Sequence, residues 1–201
     1  FLPAYEPKFQ LDIENPGGFS PLVTPAYYME MRHDMAKAMD RALSVFSQID
    51  EDFGKEFGRK YGAVEAIQCD DADVIFVTSG TVTSTCRLVL RKLRERGEKA
   101  GILKMKLFRP FPLEAVRGAL GKAKKIAVID RNFSFGASGI FAQEVRAALC
   151  NQPQHPLVYG YVTGIGGRDV TPEMLEDIYW KTKDSAEPEN ESIWIGLQEV
   201  K

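Results

Sequence analysis

Arginine residues stand in three short loops that follow predicted buried strands. Arg109 lies in FRPFP, Arg131 in DRNFSFGASG and Arg168 in TGIGGRDV. A guanidinium group forms paired hydrogen bonds with a carboxylate or a phosphate. Ligands of open α/β sheets favour the loops beyond the carboxyl ends of the strands. We therefore treat the three arginines as candidates for anion binding or for contacts with another subunit, with a structural salt bridge as the alternative for Arg109.

DRNFSFGASG carries the largest set of candidate residues, namely Arg131, Gly136, Ser138 and Gly139. Its two glycines let the chain turn into a following helix, whose first N–H groups are expected to be free. Free N–H groups at the start of a helix attract anions. The segment does not match the G-x-G-x-x-G pattern of dinucleotide-binding loops. Close backbone packing is therefore the alternative role of these glycines.

Two further loops carry residue types that suit anion binding or an interface. In TGIGGRDV, three glycines precede Arg168 and Asp169, and an arginine–aspartate pair there would brace the loop or a subunit contact. Ser79-Gly80-Thr81 leads from a strand into a helix and would offer backbone N–H groups to an anion. It lacks the lysine and the spacing of a P-loop, so ordinary helix capping is the alternative.

The sequence contains no recognisable catalytic constellation. His33 and His155 have no nucleophile or metal ligand at a useful spacing. Cys69, Cys86 and Cys150 are far apart and never form a C-x-x-C pair, so we expect reduced thiols and no zinc or iron–sulfur site built from this chain alone. We therefore assign no catalytic residue and no metal ligand, and we expect no cofactor to be held by this chain alone.

Composition indicates an ordinary globular chain of one domain with an appendage. It has 201 residues, of which 44% are hydrophobic and 27% charged, and a formal net charge of −2. This charge gives no reason to expect nucleic acid or an anionic membrane as a partner. No apolar run approaches the length of a membrane span, and we expect no signal peptide. We expect a cytoplasmic protein.

The first part of the chain differs in character from the rest. Residues 1–26 start with Phe1 and hold five prolines in the first 25 positions, which predicts an extended linker or arm and suggests a piece of a longer protein. Residues 27–60 form an amphipathic helical segment. Its apolar stripe is expected to pack on its own domain or on a partner subunit, and comprises Met31, Met35, Ala38, Ala42, Val45 and Ile49.

Residues 61–201 alternate predicted strands and helices. Four apolar runs, VIFVT, AGILKMKLF, KKIAVID and LVYGYVTG, are each followed by a helical pattern, and IWIGL is a candidate last strand. Continuous apolar strands between helices are typical of a sheet buried on both faces. Gly97 is placed to end one helix, and Thr171 with Pro172 to begin another. The predicted fold class is α/β, with a three-layer, open, mainly parallel sheet.

Four segments together resemble the second domain of the alpha subunit of pyruvate:ferredoxin oxidoreductases. They are residues 27–81, KMKLFRPFP, IAVIDRNFSFGASG and GYVTGIGGRDVTPEML, in the same order and at similar spacing. The proline-rich opening resembles that subunit's connection from its first domain. The resemblance implies a fold like the carboxy-terminal domain of transketolase for residues 61–201, and a role in organising the assembly.

The resemblance also implies the cofactors and partners of the whole enzyme. The family oxidatively decarboxylates a 2-oxoacid with coenzyme A and passes electrons to ferredoxin. It uses thiamine diphosphate and iron–sulfur clusters, whose binding domains lie outside this sequence. The implied partners are the first alpha domain and the beta, gamma and delta subunits, with ferredoxin reached through the holoenzyme. The isolated chain is expected to be inactive, and a homodimer is left open.

Three functional hypotheses therefore stand. The first is an assembly domain of this oxidoreductase, with pyruvate favoured as substrate because the long helix and FGRKYG resemble those of the pyruvate enzymes. The second is a binding module whose loops after the third and fourth predicted strands hold an anion such as coenzyme A. The third is the related carboxy-terminal domain of a transketolase or of a dehydrogenase E1 beta chain, which predicts the same fold.

Overall fold

The computed structural model describes residues 2–19, 22–154, 156–189 and 192–198. His155 lies outside them. The chain divides into two units, residues 1–40 and 41–201. In the first unit, the described residues before the long helix form no helix or strand, and all except Val23 are exposed.

Helix α1 covers Pro25–Phe57 and confirms the predicted long helix. It has 33 residues, and none of them is buried. Met31, Met35, Val45 and Ile49 of the predicted apolar stripe are between 48% and 56% exposed. The stripe is thus left largely open to solvent. Neither α1 nor any other helix in the described ranges is both long and apolar enough to cross a bilayer.

In the described residues, the second half of α1 is followed by one sheet and four more α-helices. The strands are β1 (Val64–Ile67), β2 (Val74–Ser79), β3 (Ala100–Met105), β4 (Lys125–Asp130), β5 (Leu157–Val162) and β6 (Ile193–Trp194), and the helices are α2 (Val82–Glu95), α3 (Leu113–Leu120), α4 (Ile140–Leu149) and α5 (Pro172–Asp184). The strand order is β1-β3-β2-β4-β5-β6. Strand β1 is antiparallel to β3, and every other neighbouring pair is parallel. The predicted α/β class with a mainly parallel sheet is confirmed.

Helices cover both faces of the sheet, which explains the continuous apolar strands. Side chains of successive strand residues point to opposite faces. Ile75 and Val128 belong to a core cluster with Val145 of α4, whereas Phe76 belongs to a second cluster with Ile178 of α5. Because each central strand contributes to both clusters, both of its faces must be apolar. The result is the predicted three-layer arrangement.

The two helix ends predicted from local chemistry are confirmed. Gly97 follows α2 with φ of 84°, and the next N–H, of Glu98, donates to the Leu93 carbonyl at 3.0 Å. This is the pattern of a glycine-terminated helix. At the start of α5, the Thr171 hydroxyl accepts from the Met174 N–H at 3.3 Å.

Strand β1 was not predicted from the sequence. It contains only four residues, VEAI, and lies at the edge of the sheet, with Val64 opposite Met105 of β3. A run this short carries little periodicity, and its pairing partner is distant in the sequence. The last predicted strand, by contrast, is present as β6.

Candidate functional site

The carboxyl edge of the parallel strands brings together most of the candidate loops. From β2 the chain crosses to β3 on one side of β2, then returns to β4 on the other side. This reversal opens a crevice between the loops after β2 and β4, where ligands of such sheets usually bind. The loop after β2 contains Thr81, that after β4 begins with Arg131, and that after β5 begins with Thr163.

Arg131 joins all three loops. Its Nε and Nη2 atoms donate to the Gly164 carbonyl at 3.3 and 3.2 Å, and its Nη1 atom donates to the Thr81 hydroxyl at 3.3 Å. Thr81 precedes α2 but forms no side-chain cap, because its own backbone is already helical. The interpretation of this loop as ordinary capping was therefore wrong, and its hydroxyl binds Arg131 instead.

The start of α4 is closed to anions by the protein itself. The Asp130 carboxylate accepts from the N–H groups of Phe141 at 2.9 Å and Ala142 at 3.0 Å. The Ile140 N–H donates to Asn132, and the Gly139 N–H donates to the Ser192 hydroxyl. The expectation of free N–H groups here was wrong, because side chains before and far after the helix supply the acceptors.

Asp130 is the most deeply buried acid of this edge, with 1% of its surface exposed. Burial raises the pKa of its carboxyl above the usual range, and the hydrogen bonds from Phe141 and Ala142 oppose that rise. A carboxylate at the start of a helix is also favoured by the helix dipole. Its contacts make Asp130 a helix cap rather than a free acid or base.

The remaining candidates of this loop have structural surroundings. Gly136 has φ of 79° and open space around it. Ser138 is buried, and its hydroxyl donates to the Gly139 carbonyl at 3.3 Å. Phe135, at the tip of the loop, is 93% exposed and touches only Phe133 among the described aromatic rings.

Arg109 contacts helix α4. It forms a salt bridge with Glu144 of α4, and its guanidinium lies 4.1 Å from the centre of the Phe108 ring. Arg109 therefore ties the loop after β3 to α4.

The loop after β5 is a tight glycine-rich turn. Gly164 and Gly166 both adopt the left-handed conformation, and a short 3-10 turn covers Ile165–Gly167. Arg168 donates to the Gly196 carbonyl at 2.6 Å. Asp169 is exposed and forms no ion pair among the described residues, so the expected Arg168–Asp169 brace is replaced by a contact with the chain after β6.

The described residues do not fit a metal ion or an iron–sulfur cluster. No group of three or more His, Cys, Asp or Glu side chains in the described ranges is close enough to hold a metal. Cys69 and Cys86 are buried, Cys150 is exposed, and all three are free thiols. Burial raises the pKa of the Cys86 thiol strongly, which disfavours the thiolate that metals require.

Residues 72–175 match the model of the family described as pyruvate:ferredoxin oxidoreductase core domain II. The match runs from two residues before β2 into α5 and contains the candidate loops after β2, β3, β4 and β5. The chain belongs to this family. The resemblance inferred from the four sequence segments is thus confirmed.

Curated relatives match nearly the whole chain. The pyruvate synthase subunit PorA of Methanothermobacter thermautotrophicus is 40% identical over 199 residues, which are 99% of this chain and 50% of that protein. The ketoisovalerate oxidoreductase subunit VorA of Pyrococcus abyssi is 38% identical over 98% of this chain and 51% of its own length. The chain therefore spans about half the length of these relatives.

A solved structure supports the fold. The 2-oxoglutarate:ferredoxin oxidoreductase of Magnetococcus marinus, solved with 2-oxoglutarate, coenzyme A and succinyl-CoA bound, aligns over 80% of this chain and 24% of its own chain. The TM-score is 0.51 and the sequence identity is 20%. At this identity the likeness concerns the arrangement of helices and strands.

The structure adds Thr163 and Gly164 to the candidate residues. Thr163 is buried with its hydroxyl unpaired among the described residues, and Gly164 receives Arg131 on its carbonyl. The sequence signal for both was present, because TGIGG places a hydroxyl beside glycines at the end of a strand. Neither residue could be separated from ordinary turn chemistry without knowing its hydrogen bonds.

Proposed function

We propose that this chain is an assembly domain of the alpha subunit of a 2-oxoacid:ferredoxin oxidoreductase. The holoenzyme converts a 2-oxoacid and coenzyme A to an acyl-CoA and carbon dioxide, and passes the released electron pair to ferredoxin. Membership in the domain II family supports this proposal, as do relatives of about twice this length that are named as subunits. We place the holoenzyme in the cytoplasm.

The exposed apolar stripe of α1 is the observation that carries the assembly role. A helix gains most of its stability in a protein by packing an amphipathic face. Helix α1 buries none of its 33 residues, and Met31 and Met35 of the stripe are 48% and 55% exposed. Large exposed apolar surfaces mark interaction sites. We infer that this stripe packs against another part of the oxidoreductase.

The chemistry of the reaction is assigned to other parts of the holoenzyme. Thiamine diphosphate supplies the carbanion chemistry when bound, and iron–sulfur clusters carry the electrons. In the described residues, Asp130 caps α4 and Arg131 joins three loops, so both have structural partners. We propose that the first alpha domain and the beta, gamma and delta subunits hold the cofactors.

Pyruvate is the substrate we propose, within the wider class of 2-oxoacids. The choice rests on the resemblance of the long helix and FGRKYG to pyruvate enzymes. The relative named for pyruvate is 40% identical in sequence and the relative named for ketoisovalerate is 38% identical. Overall sequence identity therefore does not separate the two substrates. Reduction of ferredoxin by the purified holoenzyme with each 2-oxoacid separates them, and faster turnover of ketoisovalerate would overturn the choice.

Assembly is tested by making the stripe polar in the full-length protein. The double variant Met31→Gln, Met35→Gln keeps side-chain length but loses apolar surface. We expect native mass spectrometry of the purified complex to show subunit loss, while circular dichroism of the variant remains unchanged.

The matched control changes the polar side of the same helix. The double variant Lys37→Gln, Arg41→Gln is expected to keep the complex intact, because these residues do not belong to the apolar stripe. Equal stability of both complexes would contradict the assembly role of α1. Loss of a dimer of this subunit alone, with all other subunits retained, would assign the stripe to self-association.

A further inference from the structure

The loop after β5 contains polar groups that are buried but unpaired. Thr163 is 3% exposed, and its hydroxyl has no hydrogen-bond partner among the described residues. Gly164, also buried, donates no backbone hydrogen bond within the described part of the chain. Buried polar groups without partners are rare in folded proteins. Two adjacent ones therefore indicate that something else binds here.

Thr163 and Gly164 are among the residues that line a small cavity at the carboxyl edge of β5 and β6. Its volume is about 50 Å³, and its lining includes Thr163, Gly164, Ile165, Arg168, Trp194 and Gly196. One water molecule needs roughly 10–15 Å³ of cavity volume. The cavity is therefore larger than a single water requires, and it matches a group of a few heavy atoms.

The backbone of the turn has the form of an anion-binding nest. Gly164 (φ 69°, ψ 15°) and Gly166 (φ 69°, ψ 19°) are left-handed, and φ of Ile165 between them is not positive. Alternation of this kind makes successive N–H groups converge on one point. Outside the bonds of the short 3-10 turn itself, the N–H groups of Gly164, Ile165 and Gly166 donate no backbone hydrogen bond in the described chain.

The charges around the turn favour an anion. Arg168 lines the cavity and uses one guanidinium N–H for the Gly196 carbonyl. Arg131 adds a second guanidinium on the Gly164 carbonyl. Asp169 is the acid next to the turn, and it is exposed to solvent. The two positive charges of these guanidinium groups therefore exceed the single negative charge of the solvated Asp169 carboxylate.

We propose that residues 163–168 bind one phosphate-sized oxyanion. The Thr163 hydroxyl and the N–H groups of the turn are the donors, and Arg168 supplies positive charge. The bound group is a single phosphate, free or carried by a larger molecule. This site goes beyond the assembly role and does not depend on it.

The test measures phosphate binding to the full-length protein that contains this chain. Isothermal titration with inorganic phosphate is compared between the wild type and Thr163→Val, which keeps the side-chain shape and removes the hydroxyl. We expect binding about tenfold weaker in the variant, since a hydrogen bond to a charged group is lost. Acetate and pyrophosphate as additional titrants separate a single phosphate from a carboxylate and from a diphosphate group.

A second variant tests the turn itself. Gly166 has open space around it, so Gly166→Ala changes only the cost of the left-handed backbone. We expect it to weaken phosphate binding at least as much as Thr163→Val. Gly97→Ala is the matched control, because Gly97 is also left-handed with open space but lies at the end of α2. It should lose stability and bind phosphate as the wild type does.

Stability without phosphate distinguishes the anion from an ordered water. Replacing an unpaired buried hydroxyl by a methyl group is neutral or stabilising. We therefore expect the Tm of Thr163→Val to equal or exceed that of the wild type in phosphate-free buffer. A lower Tm together with unchanged phosphate binding would overturn the proposal, because the hydroxyl would then be paired with water. Identical titration curves for wild type, Thr163→Val and Gly166→Ala would also overturn it.

Discussion

Gly139 lies so close to Asp130 that a methyl group on Gly139 would overlap the Asp130 carboxylate. The closeness follows from the cap of α4, in which the carboxylate reaches the N–H groups of Phe141 and Ala142. Gly139 itself has φ of −59°, a value that any residue adopts. Glycine is therefore needed here for space, and its conformational freedom is not used.

The first prediction is that Gly139→Ala destabilises the protein. The added methyl must displace the buried carboxylate, and overpacking of this kind costs about 1–3 kcal/mol. Urea denaturation of the purified protein measures the change. Gly118→Ala is the control, because Gly118 lies on the exposed side of α3 with no heavy atom within 4 Å. That variant should gain about 0.5–1 kcal/mol from helix propensity, and equal losses in both would refute the steric argument.

The second prediction concerns Arg94, which fastens the chain between β1 and β2. Its guanidinium donates to both oxygens of Asp71 at 2.7 and 2.8 Å, to the Gln68 carbonyl at 2.8 Å and to the Ala100 carbonyl at 2.7 Å. Lysine cannot place donors at all these sites at once. We expect Arg94→Lys to lower the free energy of unfolding by about 1 kcal/mol. Arg91→Lys, one turn earlier on the exposed side of α2, should leave it unchanged.

The third prediction rests on the buried phenol of Tyr161. Thr182 donates its hydroxyl hydrogen to the Ile178 carbonyl at 2.7 Å, so the Tyr161 hydroxyl must be the donor in its 2.7 Å bond to Thr182. Burial raises the pKa of Tyr161 from 10.0 to about 12. A raised folded-state pKa means that this group stabilises the fold fully below pH 10.0, and that the contribution is lost as the pH rises to about 12.

As the pH rises through this alkaline range, Tyr161→Phe should therefore lose less stability than the wild type does. At neutral pH the variant should lose about 0.5–1.5 kcal/mol, because one buried hydrogen bond is removed. Denaturant unfolding at a series of alkaline pH values gives both results. Tyr159→Phe is the control for the lost hydrogen bond at neutral pH, since Tyr159 donates to the Ser185 carbonyl at 2.9 Å. A Tyr161→Phe curve parallel to that of the wild type would contradict the assignment.

Features set by neighbouring residues could be predicted from the sequence. The run at 74–78 is apolar at every position except its last, and a strand with helices on both sides requires such a run. Gly97 and Thr171 end and begin helices through hydrogen bonds that span only a few residues. In each case the chemistry that decides the structure lies within one helical turn or one strand.

Features set by distant residues could not be predicted. The Gly139 N–H was expected to be free, and its acceptor is Ser192, 53 residues later. Strand β1 forms only by pairing with β3. Arg109 forms a salt bridge with Glu144, which lies 35 residues later in the sequence. The unpaired hydroxyl of Thr163 is likewise defined by what surrounds it in space. These relationships depend on the completed sheet, so no local sequence pattern predicts them.

The last prediction is that the hydroxyls of Thr78 and Thr83 act as a unit. They lie 2.9 Å apart at the start of α2, with residue exposures of 2% and 1%, and either one is able to donate. Thr78→Val or Thr83→Val alone leaves the other hydroxyl buried without this partner, at a cost of about 1–3 kcal/mol. The double variant removes both polar groups, so its loss should be clearly smaller than the sum of the single losses. A double-mutant cycle by denaturant unfolding measures the difference, and strictly additive losses would show that each hydroxyl is satisfied independently.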